Sequence, residues 1–450
     1  MSAHPADSRL FGHLWSTAES RRLFDDEGRA ASWLHILATL AQAQADVGLI
    51  PEDAAEVIRS QATIERIDLD LVGEETRSSG HSTMGFIRAL RLSLPETARE
   101  WVYYGATVQD LSDTWTALVC RAIGDLLVRD VSAMRDLAAD LARRHRDTAM
   151  CGRTHGQPGL PITFGFKAAV WAAELDRHLV RLTQGRPRWE VAQLGGALGT
   201  MEFWGERGVP LLEAFAGRLN LATPEIAWLT ARDRVAEFVC PLAATSATVA
   251  KIGNEVLQLQ RPEIGEVREG FRAGTVGSIT MPHKRNPENA EQLVSLSRVV
   301  RAQAALALEG MVCEHERDGR AWKTEWLLLP EACLAFSASC AFGLDMLERL
   351  EIDPERMSAN VASHRGYLMS EVVMRALADR LGKHSAHDVV YEASMSGIGA
   401  GHDFFTALRA DTRLDVIDDN ELRALLDVRA ALGSAGQFVD RVLAGLGRWS

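Results

Sequence analysis

The sequence predicts an all-α protein whose centre is a bundle of long helices. Over five long stretches, apolar residues recur at the i, i+3 and i+4 spacing of an amphipathic helix. These stretches are 114–146, 163–182, 236–259, 288–308 and 328–350. Patterns typical of β-strands are nearly absent, and short breaks containing glycine or proline separate the helical stretches. Long helices with short connections are typical of an extended helical bundle.

The five long stretches also suggest how the chain assembles. In 114–146 the apolar series runs from Trp115 to Leu141, with Arg and Asp between its members. The apolar face of each long helix is broader than one partner helix can cover. We therefore expect helices from other copies of the chain to complete the burial.

The chain is predicted to have three helical parts, because 450 residues exceed the size at which one core usually suffices. Shorter helical patterns with breaks at 48–51 and 78–80 precede Thr114, and short patterns return after Gly366. The predicted parts are an N-terminal helical domain (1–113), a central long-helix bundle (114–365) with a catalytic loop near 270–287, and a C-terminal helical domain (366–450).

Composition excludes several classes of partner. The net charge of -12 disfavours nucleic acid and anionic membranes, which require a basic face. Hydrophobic residues make up 47%, and no apolar run approaches the roughly 18 residues of a membrane span. Met1 to Arg9 contain no basic region followed by an apolar stretch, so we do not expect secretion, and the six cysteines are scattered without a CxxC pair. We therefore expect a cytoplasmic protein with reduced cysteines.

The segment 274–287 is the most informative part of the sequence. Glycines at 270, 274 and 277 allow a flexible entry, Pro282 blocks a regular helix, and Asn286-Pro287 resembles an N-cap followed by proline. A polar, cationic loop containing Ser278 thus precedes a long helix whose amide end attracts anions. The pattern alone fits either an ordinary solvated surface loop or an anion-binding loop.

The residues 277–287, Gly-Ser-Ile-Thr-Met-Pro-His-Lys-Arg-Asn-Pro, resemble the signature loop of the fumarase/aspartase superfamily. Its adenylosuccinate lyase and carboxymuconate cycloisomerase branches have Gly-Ser-Ser-x-Met-Pro-His-Lys-Arg-Asn-Pro. Ile279 replaces the second serine, and Ser278 keeps the first, which the family uses as its general base. The resemblance implies that Lys284 and Asn286 contact a substrate carboxylate and support the deprotonated intermediate. Met281 is predicted to bind substrate as well.

Residues 104–114 contain a second family segment. Thr-Val-Gln-Asp-Leu-Ser-Asp-Thr at 107–114 resembles the family's Thr-Ser-x-Asp-x-x-Asp-Thr, with Val108 in place of the serine. The resemblance implies that Thr107, Gln109 and Asp110 bind substrate or order the site.

Residues 152–158, Gly-Arg-Thr-His-Gly-Gln-Pro, resemble a third family segment. The resemblance implies that Thr154 binds a carboxylate and that His155 transfers a proton or orients the leaving group. Without the other two segments, a histidine between glycine and proline would more simply be structural.

The implied reaction explains these residue types. Removing a proton beside a carboxylate places a second negative charge on an anion, so preorganised donors such as Lys284, Asn286 and Thr154 lower the barrier. A neutral serine is a poor base, so the Ser278 alkoxide needs loop amides and Lys284 around it. No cofactor or metal is implied, because the sequence lacks an HExxH helix, a cysteine cluster, a P-loop and a GxGxxG fingerprint.

Other residues bear on the substrate. His81 lies in a stretch, 74–88, that resembles an adenylosuccinate lyase segment near the substrate, although Ser82 replaces its acid. The segment 315–326 resembles the cycloisomerase version of its region, with Trp322, Lys323 and Trp326 where adenylosuccinate lyases hold the nucleotide phosphate. A phosphate needs charge-assisted donors, so a nucleotide substrate is disfavoured.

The combination predicts a C–N lyase that performs β-elimination on a small substituted succinate and releases fumarate with an amine or nitrite, as a nitrosuccinate lyase does. The alternatives are a 3-carboxy-cis,cis-muconate cycloisomerase, an adenylosuccinate lyase and a non-enzymatic structural homologue. The resemblance further implies a homotetramer with a 20-helix core, in which three subunits build each site for a small dicarboxylate.

Overall fold

A computed structural model of the chain describes residues 4–271, 274, 277–281 and 283–448. Within these residues the chain forms 19 α-helices and four short β-strands, which confirms the all-α prediction. Pro282, predicted to interrupt helix, lies outside the described residues.

The first third of the chain forms short and medium helices. They are α1 (Gly12–Trp15), α2 (Ala18–Phe24), α3 (Asp26–Asp46), α4 (Glu52–Gln61), α5 (Leu69–Ser79), α6 (Met84–Ser93) and α7 (Glu96–Arg99). The longest of them, α3, is capped by the side chain of Asp25, which accepts a hydrogen bond from the Gly28 amide at 2.7 Å. Most of the residues of α3 between Trp33 and Gln44 are buried, so this helix supplies much of the local core.

The middle of the chain contains the predicted long helices. They are α8 (Val108–Arg144), α9 (Phe164–Trp189), α11 (Asp233–Gln260), α12 (Glu288–Glu309) and α13 (Gly319–Glu348), with the shorter α10 (Gly208–Arg218) before α11. The helices α8 and α13 begin earlier than the apolar pattern suggests. Their first turns are rich in polar residues, so hydrophobic periodicity does not mark them.

The last part of the chain is again built from shorter helices. They are α14 (Pro354–Ser363), α15 (Ser370–Leu381), α16 (Lys383–Ala400), α17 (Phe404–Arg409), α18 (Asp419–Leu425) and α19 (Ala435–Gly445). Leu377, Val390, Phe404 and Leu408 belong to the buried cluster that joins α15, α16 and α17.

Two small antiparallel sheets interrupt the helices. The strands are β1 (Ala149–Thr154), β2 (Gln157–Thr163), β3 (Val267–Arg268) and β4 (Glu351–Ile352). In the first sheet Ala149 pairs with Thr163 and Thr154 pairs with Gln157, and the second sheet pairs β3 with β4. The segment around His155 is therefore a β-hairpin rather than a simple loop.

In the part of the chain that the structure describes, two long helices, α11 and α13, are apolar enough to cross a membrane by length and composition. In each, 67% of the most apolar window is buried inside the protein. Such burial is typical of core helices.

The chain divides into two compact units. Unit 1 contains Met1–Asp130, His178–Val249 and Gln292–Ala341, and unit 2 contains Val131–Arg177, Ala250–Glu291 and Phe342–Ser450. Each of the five long helices contributes a segment to both units. The three-part division drawn from the sequence stays a prediction.

Candidate active site

A half-buried arginine meets two of the predicted substrate-binding residues in unit 1. Arg317 donates from Nη1 to the Thr107 hydroxyl at 2.9 Å and from Nε to the Gln109 side-chain oxygen at 3.2 Å. Among the described residues, Arg317 has no carboxylate partner. A guanidinium group has five N–H donors, so several remain available to an anion. This arrangement can bind a carboxylate.

The side chain of Gln109 is buried and held in one orientation. Its Nε2 group donates to the Leu229 carbonyl at 2.6 Å and to the Asp113 carboxylate at 3.2 Å. With both amide hydrogens occupied, the amide oxygen faces Arg317. The contact between Gln109 and Arg317 is therefore preorganised.

Gln109 donates to Asp113, which belongs to a buried ion cluster with Arg232 and Glu325. Arg232 donates to both carboxylate oxygens of Asp113, at 2.8 and 3.2 Å, and also pairs with both oxygens of Glu325. Burial raises the pKa of Glu325 despite this arginine. Burial opposes the charge of Arg232, but the two carboxylates outweigh it and raise the pKa of the guanidinium above its usual range. Trp322 is buried and donates its indole N–H to Asp113 at 3.0 Å, so it belongs to this cluster.

The Asp110 side chain joins the Thr107 segment to residues 193–196 by hydrogen bonds. Its two carboxylate oxygens accept hydrogen bonds from the amides of Thr107, Gly195 and Gly196 and from the Gln193 side chain, all between 2.8 and 3.1 Å. Burial raises the pKa of Asp110 to about 6, although these four hydrogen bonds lower it. The buried Asp110 carboxylate thus holds Thr107 close to residues 193–196.

The predicted pair Thr154 and His155 lies at the tip of the β1–β2 hairpin in unit 2, and both residues are exposed. The two turn residues, His155 and Gly156, have φ values of 52° and 75°. Two positive φ angles in a two-residue turn define a type I′ turn, which matches the twist of the strands. The hairpin thus presents His155 to solvent in a left-handed conformation that favours glycine or asparagine.

The loop that carries Ser278 folds back on itself. The Ser278 hydroxyl accepts a hydrogen bond from the Met281 amide at 3.1 Å, and the Lys284 amide donates to the Met281 carbonyl at 2.9 Å. A side chain at Gly277 would lie 2.6 Å from the Lys284 carbonyl oxygen, so only glycine fits there. Lys284 is exposed. A backbone amide that donates to a serine oxygen, as Met281 does to Ser278, can stabilise an alkoxide.

Where this loop meets α12, the Glu269 carboxylate makes a contact that was not predicted from the sequence. Glu269 accepts hydrogen bonds from the amides of Asn289 and Ala290, at 3.2 and 2.8 Å, in the first turn of α12. Burial raises the pKa of Glu269, and the two amides lower it. The amide end of α12 is therefore occupied by the protein's own anion.

The start of α12 also differs from the predicted cap. The carbonyl of Pro287 accepts the first helical hydrogen bond, from Glu291 at 3.0 Å, so Pro287 takes the cap position. The Asn286 side chain donates instead to Glu288 at 3.2 Å. The predicted Asn286 cap is wrong because Glu269 already satisfies the amides that a capping side chain would bind.

The remaining predicted site residue, His81, is exposed in unit 1 after α5. Its Nδ1 atom accepts a hydrogen bond from the Thr83 amide at 3.3 Å. The structure thus brings Thr107 and Gln109 together, and likewise Ser278 and Met281. Among the described residues, no hydrogen bond joins the hairpin tip to the Ser278 loop. Arg317 was not predicted to be a site residue, although it lies in the segment 315–326, which resembles a family segment.

Among the residues that the structure describes, no group of three or more His, Cys, Asp or Glu side chains could hold a metal ion.

Comparisons with known proteins match nearly the whole chain. Residues 12–302 match a family model described as Lyase, and residues 366–442 match one described as Adenylosuccinate lyase C-terminus. An N-acetyl-S-(2-succino)cysteine lyase from Dickeya dadantii is 39% identical and is covered over 98% of each chain. A 3-carboxy-cis,cis-muconate cycloisomerase from Pseudomonas aeruginosa is 35% identical, over 99% of this chain and 97% of that one. The crystal structure of a fumarate lyase from Mesorhizobium sp. BNC1 matches with a TM-score of 0.90 at 35% identity, over 96% of this chain and 98% of that one.

Proposed function

Because this chain belongs to the adenylosuccinate lyase and 3-carboxy-cis,cis-muconate cycloisomerase branch of the fumarase/aspartase superfamily, we propose that it eliminates the 2-substituent of a substituted succinate and releases fumarate. The observation that carries the proposal is the half-buried Arg317, which is held by Thr107 and Gln109 and has no carboxylate partner among the described residues. A succinate carboxylate is the partner that such a guanidinium lacks.

The leaving group in this proposal is a thiol. The Dickeya relative is named for cleavage of N-acetyl-S-(2-succino)cysteine and aligns over 98% of this chain. A succinate thioether offers the same acidic C–H beside a carboxylate as the amine or nitro compounds predicted from the sequence. In the reaction a base takes a proton from C3, the C3 electron pair forms the double bond, and the C2–S pair leaves on sulfur. The thiolate then takes up a proton.

The residue roles follow the chemistry of each group. Ser278 is the base, and the Met281 amide stabilises its alkoxide through their hydrogen bond. Lys284 and Asn286 stabilise the dianionic intermediate from the same loop. His155 donates a proton or hydrogen bond to the departing sulfur.

The substrate carboxylates lie against polar groups from the other segments. Arg317, Thr107 and Gln109 bind one carboxylate, and Thr154 binds the other. His81 lies near the substituent. Binding energy from both carboxylates fixes C3 against the base, which lowers the barrier by orientation.

We also propose that the active chain is a cytoplasmic homotetramer whose sites combine segments of three subunits. Large apolar side chains are exposed near the end of α12 and the start of α13, at Leu308, Val312 and Leu327. Large exposed apolar side chains on long helices and in the connection between them favour packing against another copy. Such packing accounts for the broad apolar faces of the helical pattern.

The test is a panel of substrates with one common product. Purified protein is incubated with S-(2-succino) thioethers, N-(2-succinyl) amines, nitrosuccinate, adenylosuccinate and 3-carboxy-cis,cis-muconate, and fumarate and lactone are measured by mass spectrometry. Fumarate from the thioethers, lost in a Ser278→Ala control, supports the proposal. Faster turnover of an amine or nitro substrate would change the leaving group, and lactone formation alone would make the protein a cycloisomerase.

The cycloisomerase is the second candidate, because the Pseudomonas relative with that name aligns at 35% identity over 99% of this chain. Closing a lactone onto a double bond, with protonation at carbon, is the reverse of the same elimination.

A further inference from the structure

A partly buried ion pair in unit 2 joins the His155 hairpin to the stem of the Ser278 loop. Arg153 donates from its two terminal nitrogens to the two carboxylate oxygens of Glu266, at 2.8 and 2.7 Å. The Glu266 side chain is fully buried, and that of Arg153 is 18% exposed. A bidentate arginine–carboxylate pair fixes both distance and direction.

Arg153 and Glu266 lie next to the two segments that carry His155 and Ser278. Arg153 lies in β1, directly before Thr154 and the turn residue His155. Glu266 directly precedes β3, after which the chain enters the Ser278 loop. The register of the β1–β2 hairpin is irregular between Cys151 and Arg153. The regular backbone pairing is thus interrupted next to Arg153.

Glu266 is in turn fixed by the C-terminal part of the chain. The Asn360 side chain of α14 donates to Glu266 at 2.8 Å and to the Ile264 carbonyl at 2.9 Å. The Asp353 amide donates to the Glu266 carbonyl at 3.0 Å. The carboxylate therefore accepts three hydrogen bonds from two side chains, two from Arg153 and one from Asn360, and it is held by β3, β4 and α14.

We propose that Arg153 and Glu266 are positioning residues, which set the hairpin tip and the stem of the catalytic loop in a fixed relation. The proposal rests on the proposed function for the roles of His155 and Ser278. In a tetramer with shared sites the hairpin and the loop of one chain serve different sites, so the pair also transmits a displacement of one segment to the other. A shift of about 1 Å at a reacting group can cost about 100-fold in rate.

A neighbouring ion pair in unit 2 provides a matched control. Arg135 also has an 18% exposed side chain, and it donates to the Asp176 carboxylate at 3.2 Å. It joins α8 to α9 and lies in neither the hairpin nor the loop. Arg135→Met therefore removes an arginine of equal exposure without touching the proposed link.

The experiment compares Glu266→Gln, Arg153→Met, Arg153→Lys and Arg135→Met. For the thioether substrate we expect Glu266→Gln and Arg153→Met to lower kcat by about 10-fold to 100-fold with little change in KM. Arg153→Lys should recover part of that loss, because lysine keeps the charge but not the bidentate geometry. Arg135→Met should keep kcat within about threefold of the wild type. Equal kcat for Arg135→Met and Arg153→Met at equal melting temperature would overturn the proposal.

A second measurement does not depend on turnover. Hydrogen exchange followed by mass spectrometry should show faster exchange in Glu266→Gln both in the peptide 149–163 and in the peptide 266–291. Faster exchange confined to 264–268 would overturn the proposed link. If the wild type proved inactive on every substrate, the proposed function would fail, but this measurement would still decide whether Glu266 holds the two segments together.

Discussion

Replacing Arg232, the cation that pairs with Asp113 and Glu325, tests how the buried ion cluster next to Gln109 is stabilised. The side chains of Arg232 and Asp113 are each 1% exposed and that of Glu325 is 7% exposed. Arg232→Met leaves Asp113 with Gln109 and Trp322 as donors, whereas Glu325 loses its only hydrogen-bond donor among the described residues. Breaking a buried pair in this way costs about 3–5 kcal/mol.

The pH dependence of that loss follows from the pKa of Glu325. Burial already raises this pKa, and loss of Arg232 raises it further, so Glu325 of the folded variant binds a proton at a higher pH than Glu325 of the unfolded chain. A raised folded-state pKa gives stability that is complete below the unfolded pKa of about 4.3 and is lost as pH rises through the folded value. Arg232→Met should therefore be closer to the wild type in stability at pH 5.5 than at pH 8.0.

The assay is urea unfolding, monitored by helical circular dichroism at both pH values. A loss of about 3–5 kcal/mol at pH 8.0 corresponds to a midpoint shift on the order of 1 M. The control is the double variant Arg232→Met/Glu325→Gln, which has no acid at this position and should lose most of the added pH dependence. A loss below about 1 kcal/mol, or an equal loss at both pH values in the single variant, would refute the reasoning.

Four further outcomes test the site. Ser278→Ala should lower kcat by about 1000-fold or more, with the melting temperature nearly unchanged, and activity within tenfold of wild type would remove Ser278 as the base. His155→Asn, whose side chain suits the left-handed turn, should fold as stably as the wild type yet slow amine substrates more than thioethers; an equal slowing would indicate a binding role. Arg317→Met should raise KM for dicarboxylates by about 10-fold to 100-fold, and an unchanged KM would exclude carboxylate binding. Ser278→Ala and His155→Asn chains, refolded together, should regain activity as mixed tetramers, whereas confirmed mixed tetramers without activity would contradict shared sites.

Features that depend on neighbouring residues in the chain could be predicted from the sequence. The five long helices follow from apolar spacing, because each helix must bury one continuous stripe. The Ser278, Thr107 and His155 segments were recognisable because each is a short contiguous motif. The early starts of α8 and α13 and the β1–β2 hairpin were missed, since polar first turns and short strands leave little periodic signal.

The sequence by itself therefore determined the helical architecture and the family, and it located the three motifs that contain Ser278, Thr107 and His155. Only the tertiary structure decided which polar and charged side chains contact each other. Arg317 and Thr107 are 210 positions apart, and Arg153 and Glu266 are 113 apart. Periodicity and motif spacing describe local geometry, whereas the partner of a charged side chain is chosen by burial: a charge removed from water must find its counter-charge or donors wherever the fold places them.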